Sequence, residues 1–290
     1  MGALERIPAP ALLIGAIISL QVGSAFAITL FPHFGPAGTM FLRMAFGALL
    51  LVGIYRAALL GAARKQPMGV VILGLTMTVQ SACFYEALDR IPLGLAVAIE
   101  FLGPLGLALV TSRRPMDAAF VVIATVGVLL LTPLGGGDLD PVGMAWAGGA
   151  GLGWACFIVA SKRLGKALDG GVGLALAMSV SALVLMPFVG PQTLAILSDD
   201  LALLVPVLAM ALFSGAVPFL FEFLALKRMT MTTFGVLIAI EPVIAALVGV
   251  IALGDILTTR AWIAVAIITA AALGAAVLEN RGRQGTPPIS

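Results

Sequence analysis

The sequence predicts an all-α polytopic membrane protein whose ten transmembrane helices form two inverted five-helix repeats, with both termini in the cytoplasm. Three observations lead to this fold class: an apolar composition, the placement of the few charges, and a motif that occurs twice. Of the 290 residues, 61% are hydrophobic and 10% are charged, and the mean hydropathy is +1.15. An ordinary soluble domain is roughly 45–50% apolar and about 25% charged. The composition excludes a cytosolic enzyme, a nucleic-acid binder and a disulfide-stapled secreted domain, because a soluble fold could not hide this much apolar surface.

The ten spans follow from the length that a bilayer demands, which is about 20 mostly apolar residues per helix. Apolar runs separated by charges, prolines and glycines satisfy this at 10–30, 36–59, 69–88, 92–112, 117–134, 142–160, 172–189, 201–226, 231–253 and 260–277. The joins between them are short and leave no room for a separate soluble domain. Spans with such short joins must be helical, because a lipid-facing backbone has to satisfy its own hydrogen bonds.

The basic residues predict the orientation of these spans. With the N-terminus in the cytoplasm, 13 of the 16 Lys and Arg residues fall on the cytoplasmic side, while Arg90 and Arg260 fall outside and Arg43 lies within a span. The outer loops instead carry four acids, Asp138, Asp140, Asp199 and Asp200. This asymmetry is the one that the positive-inside rule predicts, and a miscount by one span would destroy it.

A short motif occurs once in each half of the chain. Ala98-Ile99-Glu100 followed by Pro104 lies in the fourth span, and Ala239-Ile240-Glu241-Pro242 lies in the ninth. The repeated unit is therefore five spans, residues 1–137 and 138–290, and an odd number makes the two copies enter the membrane in opposite directions. Inverted repeats of this kind are typical of secondary transporters, whose substrate site lies near the midplane.

The acids of this motif, Glu100 and Glu241, are the first candidates for a substrate site. A charge near the bilayer centre is costly and faces a cavity or a partner. The proline that follows each acid frees backbone carbonyls and predicts a broken or bent helix, which suits an ammonium group or a proton. The alternative is that each acid accepts hydrogen bonds and fixes helix packing, and the sequence leaves both interpretations open.

Other polar and aromatic residues extend the candidate site. Arg43 could bind a substrate carboxylate, pair with Glu100 or Glu86 as a static lock, or reach the headgroups. Glu86 and Glu222 are candidates for a gate or rim near the two faces, and Glu86 is spaced to pair with Arg90 on one helix face. Three further candidates would line a cavity: Gln80, Tyr85 and Trp154.

A family resemblance rests on several segments. These are residues 91–101 (IPLGLAVAIEF), Ser112-Arg113-Arg114-Pro115, Thr233-Phe234-Gly235 leading to Ile240-Glu241-Pro242, Trp154-Ala155 and Arg43. With them the chain resembles the drug/metabolite transporter superfamily, in its ten-span branch with two EamA-type repeats. Within that branch it is most similar to bacterial inner-membrane threonine/homoserine exporters (RhtA-like), and more distantly to aromatic amino-acid exporters.

The resemblance implies export of small metabolites, amino acids above all, through a central cavity between the two repeats. It adds Phe101 and Gly103 as candidate substrate contacts, since bulky side chains stand at these positions in the aromatic exporters. It implies no cofactor, no metal and no nucleic-acid partner, and it leaves protons open as a second partner beside the amino acid and the membrane lipid.

Alternative functions differ in the residues that they require. A proton-coupled exporter of organic cations or drugs stays open, because Glu100 and Glu241 would serve it as well. A carrier of phosphorylated metabolites needs several cavity bases to neutralise phosphate, and only Arg43 is available for that role, since the other bases fall near the ends of spans or in loops. A membrane enzyme would need clustered Asp or His residues at one face, so the sequence predicts a transporter and not an enzyme.

Overall fold

The computed structural model describes residues 6–88, 90–91, 93–111, 115–131, 140–168, 171–238, 240–241, 243–244 and 259–284. Its helices are α1 (Ala9–Tyr55), α2 (Leu59–Lys65), α3 (Pro67–Leu88), α4 (Leu93–Thr111), α5 (Pro115–Leu131), α6 (Pro141–Ala167), α7 (Val172–Asp199), α8 (Leu204–Met210), α9 (Val217–Arg228), α10 (Met231–Ile238) and α11 (Thr259–Gln284). A 3₁₀ turn, Leu201–Leu203, precedes α8, and a π-helical segment, Ala211–Ala216, joins α8 to α9. The part of the chain that the structure describes contains no strand.

Helix α1 is two helices joined by a sharp turn at Gly35. Gly35 has φ 65° and ψ 172°, a conformation that is essentially restricted to glycine. Pro32 weakens the last turn before it, and Pro36 occupies the first position of the helix after it, where a missing N–H costs nothing. The Thr39 hydroxyl donates to the Gly35 carbonyl oxygen at 2.8 Å and completes the turn. We refer to residues 9–34 as the first limb of α1 and to residues 36–55 as the second limb.

The two limbs run in opposite directions. The Ser19 hydroxyl, in the first limb, donates to the Phe213 carbonyl oxygen at 2.8 Å. In the second limb, the Arg43 carbonyl oxygen lies 3.2 Å from where a side chain on Gly215 would begin. Residues 19 and 43 would stand ~36 Å apart on a straight helix, yet they contact positions 213 and 215. The chain therefore reverses at Gly35, and the predicted first two spans are these limbs, joined by a turn where the sequence predicted a loop.

Five helical stretches are long and apolar enough to cross a membrane: Leu30–Tyr55, Pro67–Ala87, Pro141–Ala167, Val172–Asp199 and Leu201–Arg228. Shorter apolar helices cover Ala9–Gly23, Ile99–Thr111, Ala118–Gly127 and Trp262–Ala271. Each stretch overlaps a predicted span, and the first of them includes the turn at Gly35. The predicted ninth span begins as α10, and its residues 245–253 lie outside the described residues. Apolar side chains such as Val110 and Phe188, 84% and 80% exposed, face outward, as expected of a helical membrane protein.

The helices pack pairwise around a polar interior. The second limb of α1 and helix α3 both pack on α7, α3 and α4 pack on α6, and α5 packs on α11. The first limb of α1 packs along the π-helical segment and α9. Buried among these helices are charged groups as well as apolar ones. Among the side chains that the structure describes, the charged ones less than a tenth exposed are Arg43, Glu100, Glu222 and Glu241.

Charged side chains also brace the helix ends. Where α6 and α9 end together, Lys162 of α6 donates to the carbonyl oxygens of Leu226 and Met229, and Lys227 of α9 donates to the Leu168 carbonyl oxygen at 3.1 Å. Each lysine thus satisfies carbonyls at the end of the other helix, where a cation also complements the helix dipole.

Asp140 begins α6 at its other end. Its carboxylate accepts from the Val142 N–H at 2.8 Å and pairs with Arg90 at 3.6 Å. The Val142 hydrogen bond and the nearby guanidinium lower the pKa of Asp140 below its ordinary value. The carboxylate is therefore ionised at neutral pH, and the cap is lost only in strong acid, as the pH falls through the lowered pKa.

Candidate functional site

The candidate site lies where the second limb of α1, helices α3, α4, α6 and α9, and the chain after α10 meet. Most of the residues predicted from the sequence come together here. The side chains that line it are Arg43, Gln80, Ser81, Tyr85, Glu100, Phe101, Trp154, Phe219, Glu222 and Glu241. Most of them are less than a tenth exposed. Elements from both halves of the chain therefore contribute to one buried polar centre.

Arg43 is held by a hydroxyl and two aromatic rings. Its Nη2 donates to the Ser81 hydroxyl at 2.7 Å, and its guanidinium carbon lies 5.3 Å from the Tyr85 ring centroid and 5.8 Å from that of Phe219. Ser81 and Tyr85 share one face of α3, four residues apart, and Phe219 comes from α9. The Arg43 Nε is buried without a hydrogen-bond partner. Arg43 therefore does not reach the headgroups, which was one of the three roles that the sequence left open.

The two acids of the repeated motif have different surroundings. Gln80 Nε2 donates to Glu100 Oε1 at 3.3 Å, while Gln80 Oε1 has no partner. Glu241 Oε2 is also buried without a partner. Glu222 interacts electrostatically with both Glu100 and Glu241. Unpaired buried acceptors of this kind call for an explanation, such as a bound ligand or water.

Phe101 and Trp154 form an aromatic pair beside Glu100. Their ring centroids are 5.0 Å apart at an interplanar angle of 76°, an edge-to-face contact. On α6, Phe157 follows Trp154 by about one helical turn. The Phe157 ring makes an edge contact with the Phe219 ring of α9, and their centroids are 5.6 Å apart. The aromatic residues thus form a wall from α4 through α6 to α9.

Gly103 lies at the crossing of α4 and α6. A side-chain carbon on Gly103 would stand 1.9 Å from the Gly151 carbonyl oxygen, so only glycine fits there. The structure therefore places Gly103 in helix packing against α6. Small residues commonly allow such close approach between membrane helices.

The predicted break in the Glu-bearing helix is found in one repeat and not in the other. Helix α4 continues through Pro104, and the Glu100 carbonyl, which Pro104 leaves without its helical donor, lies against the Gly151 backbone. In the second repeat, α10 ends at Ile238, and the Ile240 N–H donates to the Leu237 carbonyl three residues back, at 3.1 Å. The irregular backbone therefore occurs just before Glu241.

The two acids predicted near the faces have different surroundings. Glu86 is exposed, and Arg90 pairs with Asp140 and not with Glu86, because the start of α6 comes within reach of the guanidinium. Glu222 is 5% exposed, and the surrounding turns of α9 carry buried apolar side chains, so its role at a gate or rim stays a prediction.

Sequence reasoning did not identify Ser81 and Phe219, the two contacts of Arg43 other than Tyr85. Ser81 could have been found from its spacing, because it follows Gln80 and lies one turn before Tyr85 on the same face. Phe219 lies in the apolar run Val217-Pro218-Phe219-Leu220, where nothing in the pattern distinguishes it. Its role becomes visible only when α9 packs against α1.

The donor set favours an organic ligand over a metal. Among the described residues, no group of three or more His, Cys, Asp or Glu side chains could hold a metal ion. The site offers one guanidinium, unpaired carboxylate and amide oxygens, and aromatic faces. This combination can bind a small molecule that carries both an anionic and a cationic group.

The fold and the candidate site together define a helical membrane protein with a buried, charged centre to which two halves of the chain contribute. Comparison with known proteins agrees. The family model of the EamA-like transporter family matches residues 141–277. The threonine/homoserine exporter RhtA of Salmonella typhimurium (strain LT2) is 37% identical over 274 residues, which cover 93% of this chain and 91% of that protein. RhtA of Escherichia coli (strain K12) is 36% identical over 286 residues, covering 97% and 96%.

The chain belongs to the EamA-like transporter family, in the group that contains the RhtA proteins. A crystal structure that is 21% identical in sequence shares the fold, with a TM-score of 0.75 over 94% of this chain and 98% of that one. The two RhtA relatives are exporters and the matching family is a transporter family, which agrees with the prediction of a transporter and not an enzyme.

Proposed function

We propose that this protein is a secondary transporter of the cytoplasmic membrane that exports amino acids, threonine and homoserine among them, from the cytoplasm. The observation that carries the proposal is the 36–37% identity to threonine/homoserine exporters over nearly the full length of both chains. The buried centre supports it, because Arg43 and the carboxyls of Glu100 and Glu241 provide opposite charges for a zwitterion.

The proposed architecture is ten spans in two inverted repeats, residues 1–137 and 138–290. The helix pairing supports it, because an inverted repeat requires equivalent spans to pack in equivalent pairs. Helix α3 packs on α6, and their counterparts, the α8–α9 span and the first limb of α1, also pack together. Spans that a two-fold axis would relate to each other also pair: the second limb of α1 with α7, α4 with α10, and α5 with α11. The family match at 141–277 is consistent with the second repeat.

The proposed orientation has both termini in the cytoplasm. Trp146 and Trp262 lie near the first turns of α6 and α11, the ends assigned to the outer face, and are 39% and 49% exposed. Tryptophan is enriched at membrane–water interfaces. At the opposite end, the exposed basic side chains among those described are Arg6, Arg56, Arg64, Lys65, Arg163 and Lys166.

In the proposed mechanism the two repeats rock about the centre, so that it opens to one side of the membrane at a time. Glu100 and Glu241, one from each repeat, bind the substrate ammonium group. Gln80, Tyr85, Phe101 and Trp154 would shape the rest of the site. The broken helix before Glu241 supports this role, because irregular backbone in a membrane is tolerated where it lines a cavity.

The test is uptake of a panel of labelled amino acids into proteoliposomes that contain the purified protein, with and without a pH gradient. We expect threonine and homoserine to enter faster than into protein-free liposomes. A pH gradient that accelerates uptake would identify protons as the second partner. No flux of any amino acid would contradict the proposal.

A second candidate is a proton-coupled exporter of organic cations or drugs. The observation that favours it is the excess of buried acid, three carboxyls at the centre against one guanidinium. A cationic dye tested in the same liposomes separates the two functions. Dye flux without amino-acid flux would favour this candidate.

A further inference from the structure

Arg43 is a buried cation without an anionic partner in direct contact. It is 8% exposed. Among the described carboxylates, none lies within 4.0 Å of its guanidinium. Glu100 interacts electrostatically with Arg43 but is hydrogen-bonded to Gln80, and Glu86 is exposed. The static ion pair that the sequence allowed with either acid is therefore not formed.

The surroundings of Arg43 hold the guanidinium in place and leave part of it vacant. The Tyr85 and Phe219 rings contact it from α3 and α9, and Ser81 accepts one of its five N–H bonds. Its Nε has no partner. Since a buried charge is normally paired or fully hydrogen-bonded, this arrangement is incomplete in the protein alone.

Arg43 and Glu100 lie at about the same depth. Each is seven residues beyond the first residue of its helical segment, Pro36 or Leu93, and both segments start from the same predicted face. Seven residues correspond to ~10 Å along a helix. A ligand that binds both side chains would therefore lie across the site, in the plane of the membrane.

We infer that Arg43 binds the carboxylate of the transported substrate through its vacant N–H groups, so that the site selects molecules with a free carboxylate beside an ammonium group. The inference rests on the proposed function. It assigns the substrate carboxylate to Arg43, whereas the proposed function assigns the ammonium group to the acids. A planar guanidinium matches a carboxylate with two parallel hydrogen bonds, which lysine cannot reproduce. The Tyr85 and Phe219 rings restrict the motion of the guanidinium, so the Arg43 side chain loses less conformational entropy when a carboxylate binds.

The experiment measures competition against labelled L-threonine in proteoliposomes by three matched compounds. L-threonine carries both charged groups, L-threoninamide lacks the carboxylate, and 3-hydroxybutyrate lacks the ammonium group. We expect threoninamide to bind the wild-type protein roughly ten- to a hundredfold more weakly than threonine, the effect of losing a charge-assisted hydrogen bond.

Variants at position 43 test the residue itself. Arg43→Gln should weaken threonine binding by roughly the same factor and leave threoninamide binding almost unchanged, so that the discrimination between them disappears. The threonine affinity of Arg43→Lys should lie between those of the wild-type protein and Arg43→Gln, because lysine keeps the positive charge but cannot make two parallel hydrogen bonds. The matched control is Arg56→Gln, which makes the same substitution at an exposed position beyond the second limb and should leave all three affinities unchanged.

The outcomes separate this inference from the proposed function. If the wild-type protein transports threonine but binds threoninamide equally well, the carboxylate assignment is wrong and amino-acid export stands. An equal loss of affinity for all three compounds in Arg43→Gln would show a purely structural arginine and overturn the inference. If no amino acid is transported, the proposed function fails first. Should Arg43→Gln not fold, the wild-type competition decides without it.

Discussion

Glu100 and Glu241 occupy equivalent positions in the two repeated motifs, yet their carboxyl groups are bound differently. Glu100 accepts a hydrogen bond from Gln80, and Glu241 has an unpaired buried oxygen next to a break in its helix. If sequence symmetry reflected packing alone, both acids would be expected to have equivalent partners. The difference supports the proposal that Glu241 binds a ligand.

Replacing either acid by glutamine tests this availability. We expect Glu241→Gln and Glu100→Gln each to lower amino-acid transport roughly ten- to a hundredfold, because each removes a charge-assisted hydrogen bond to the ammonium group. Thermal stability of Glu241→Gln should not fall, since its Oε2 has no partner to lose. Transport in proteoliposomes and melting in detergent give the two values.

The matched control for these variants is Asp199→Asn, at an exposed position at the end of α7. It removes one acid from the same chain without touching the centre, and its transport should equal that of the wild-type protein. Full transport by both glutamine variants would contradict an essential role for the acids.

The acids of the site could be predicted from the sequence, whereas the residues that surround Arg43 could not all be predicted. A charge inside an apolar run is rare and costly, so it stands out in a single sequence. Phe219 is an apolar residue in an apolar run, and its contact with Arg43 depends on how two distant helices pack. The same holds for the burial of Glu222, because the sequence gives its depth along a helix but not the direction of its side chain.

At the scale of elements, the crossing of α4 and α6 positions Glu100 and the aromatic pair. Gly103 and Gly151 bring the two backbones into contact, and the Gly151 backbone also covers the Glu100 carbonyl. The helix bearing Glu100 is therefore supported from α6 and remains regular through Pro104. The proline predicts a broken or bent helix, and α4 runs through Pro104 without a break.

Gly103→Ala is expected to destabilise this crossing. A methyl group there would overlap the Gly151 carbonyl oxygen and force the helices apart, at a cost of about 1–3 kcal/mol or more. Gly106→Ala is the matched control, three residues along the same helix, where a side-chain carbon meets nothing within 4 Å. Melting temperatures in detergent should fall for the first variant and stay level or rise for the second. Equal melting temperatures would contradict the close crossing.

At the scale of the whole molecule, composition, charge and repeat predicted the same architecture, and the described residues confirm its coarser part, a helical membrane protein with long apolar helices. What the sequence could not predict is how short the first turn is, or that one Glu-bearing helix is regular and the other broken. Both depend on contacts between spans far apart in the chain. The residue pattern within one span does not indicate these contacts, because nearly every residue in the spans is apolar.

The proposed orientation is tested by fusing reporters at helix ends. Green fluorescent protein fused after Lys65 or Lys166 should fluoresce, and alkaline phosphatase fused after Asp140 or Asp200 should be active, because the first pair is assigned to the cytoplasm and the second to the outside. If alkaline phosphatase fused after Lys166 were active instead, the orientation of the second repeat would be opposite to the one proposed. Such a result would also contradict the inverted arrangement of the two halves.

The turn at Gly35 has a consequence for how the chain enters its membrane. A straight α1 of 47 residues would be ~70 Å long, more than twice the ~30 Å thickness of the hydrocarbon layer. The limbs are joined by a single non-helical residue, so the polar backbone at the turn can stay at one surface only if both limbs insert together. We therefore expect the two limbs to enter the membrane as a helical hairpin, and this step depends on one residue that has no side chain.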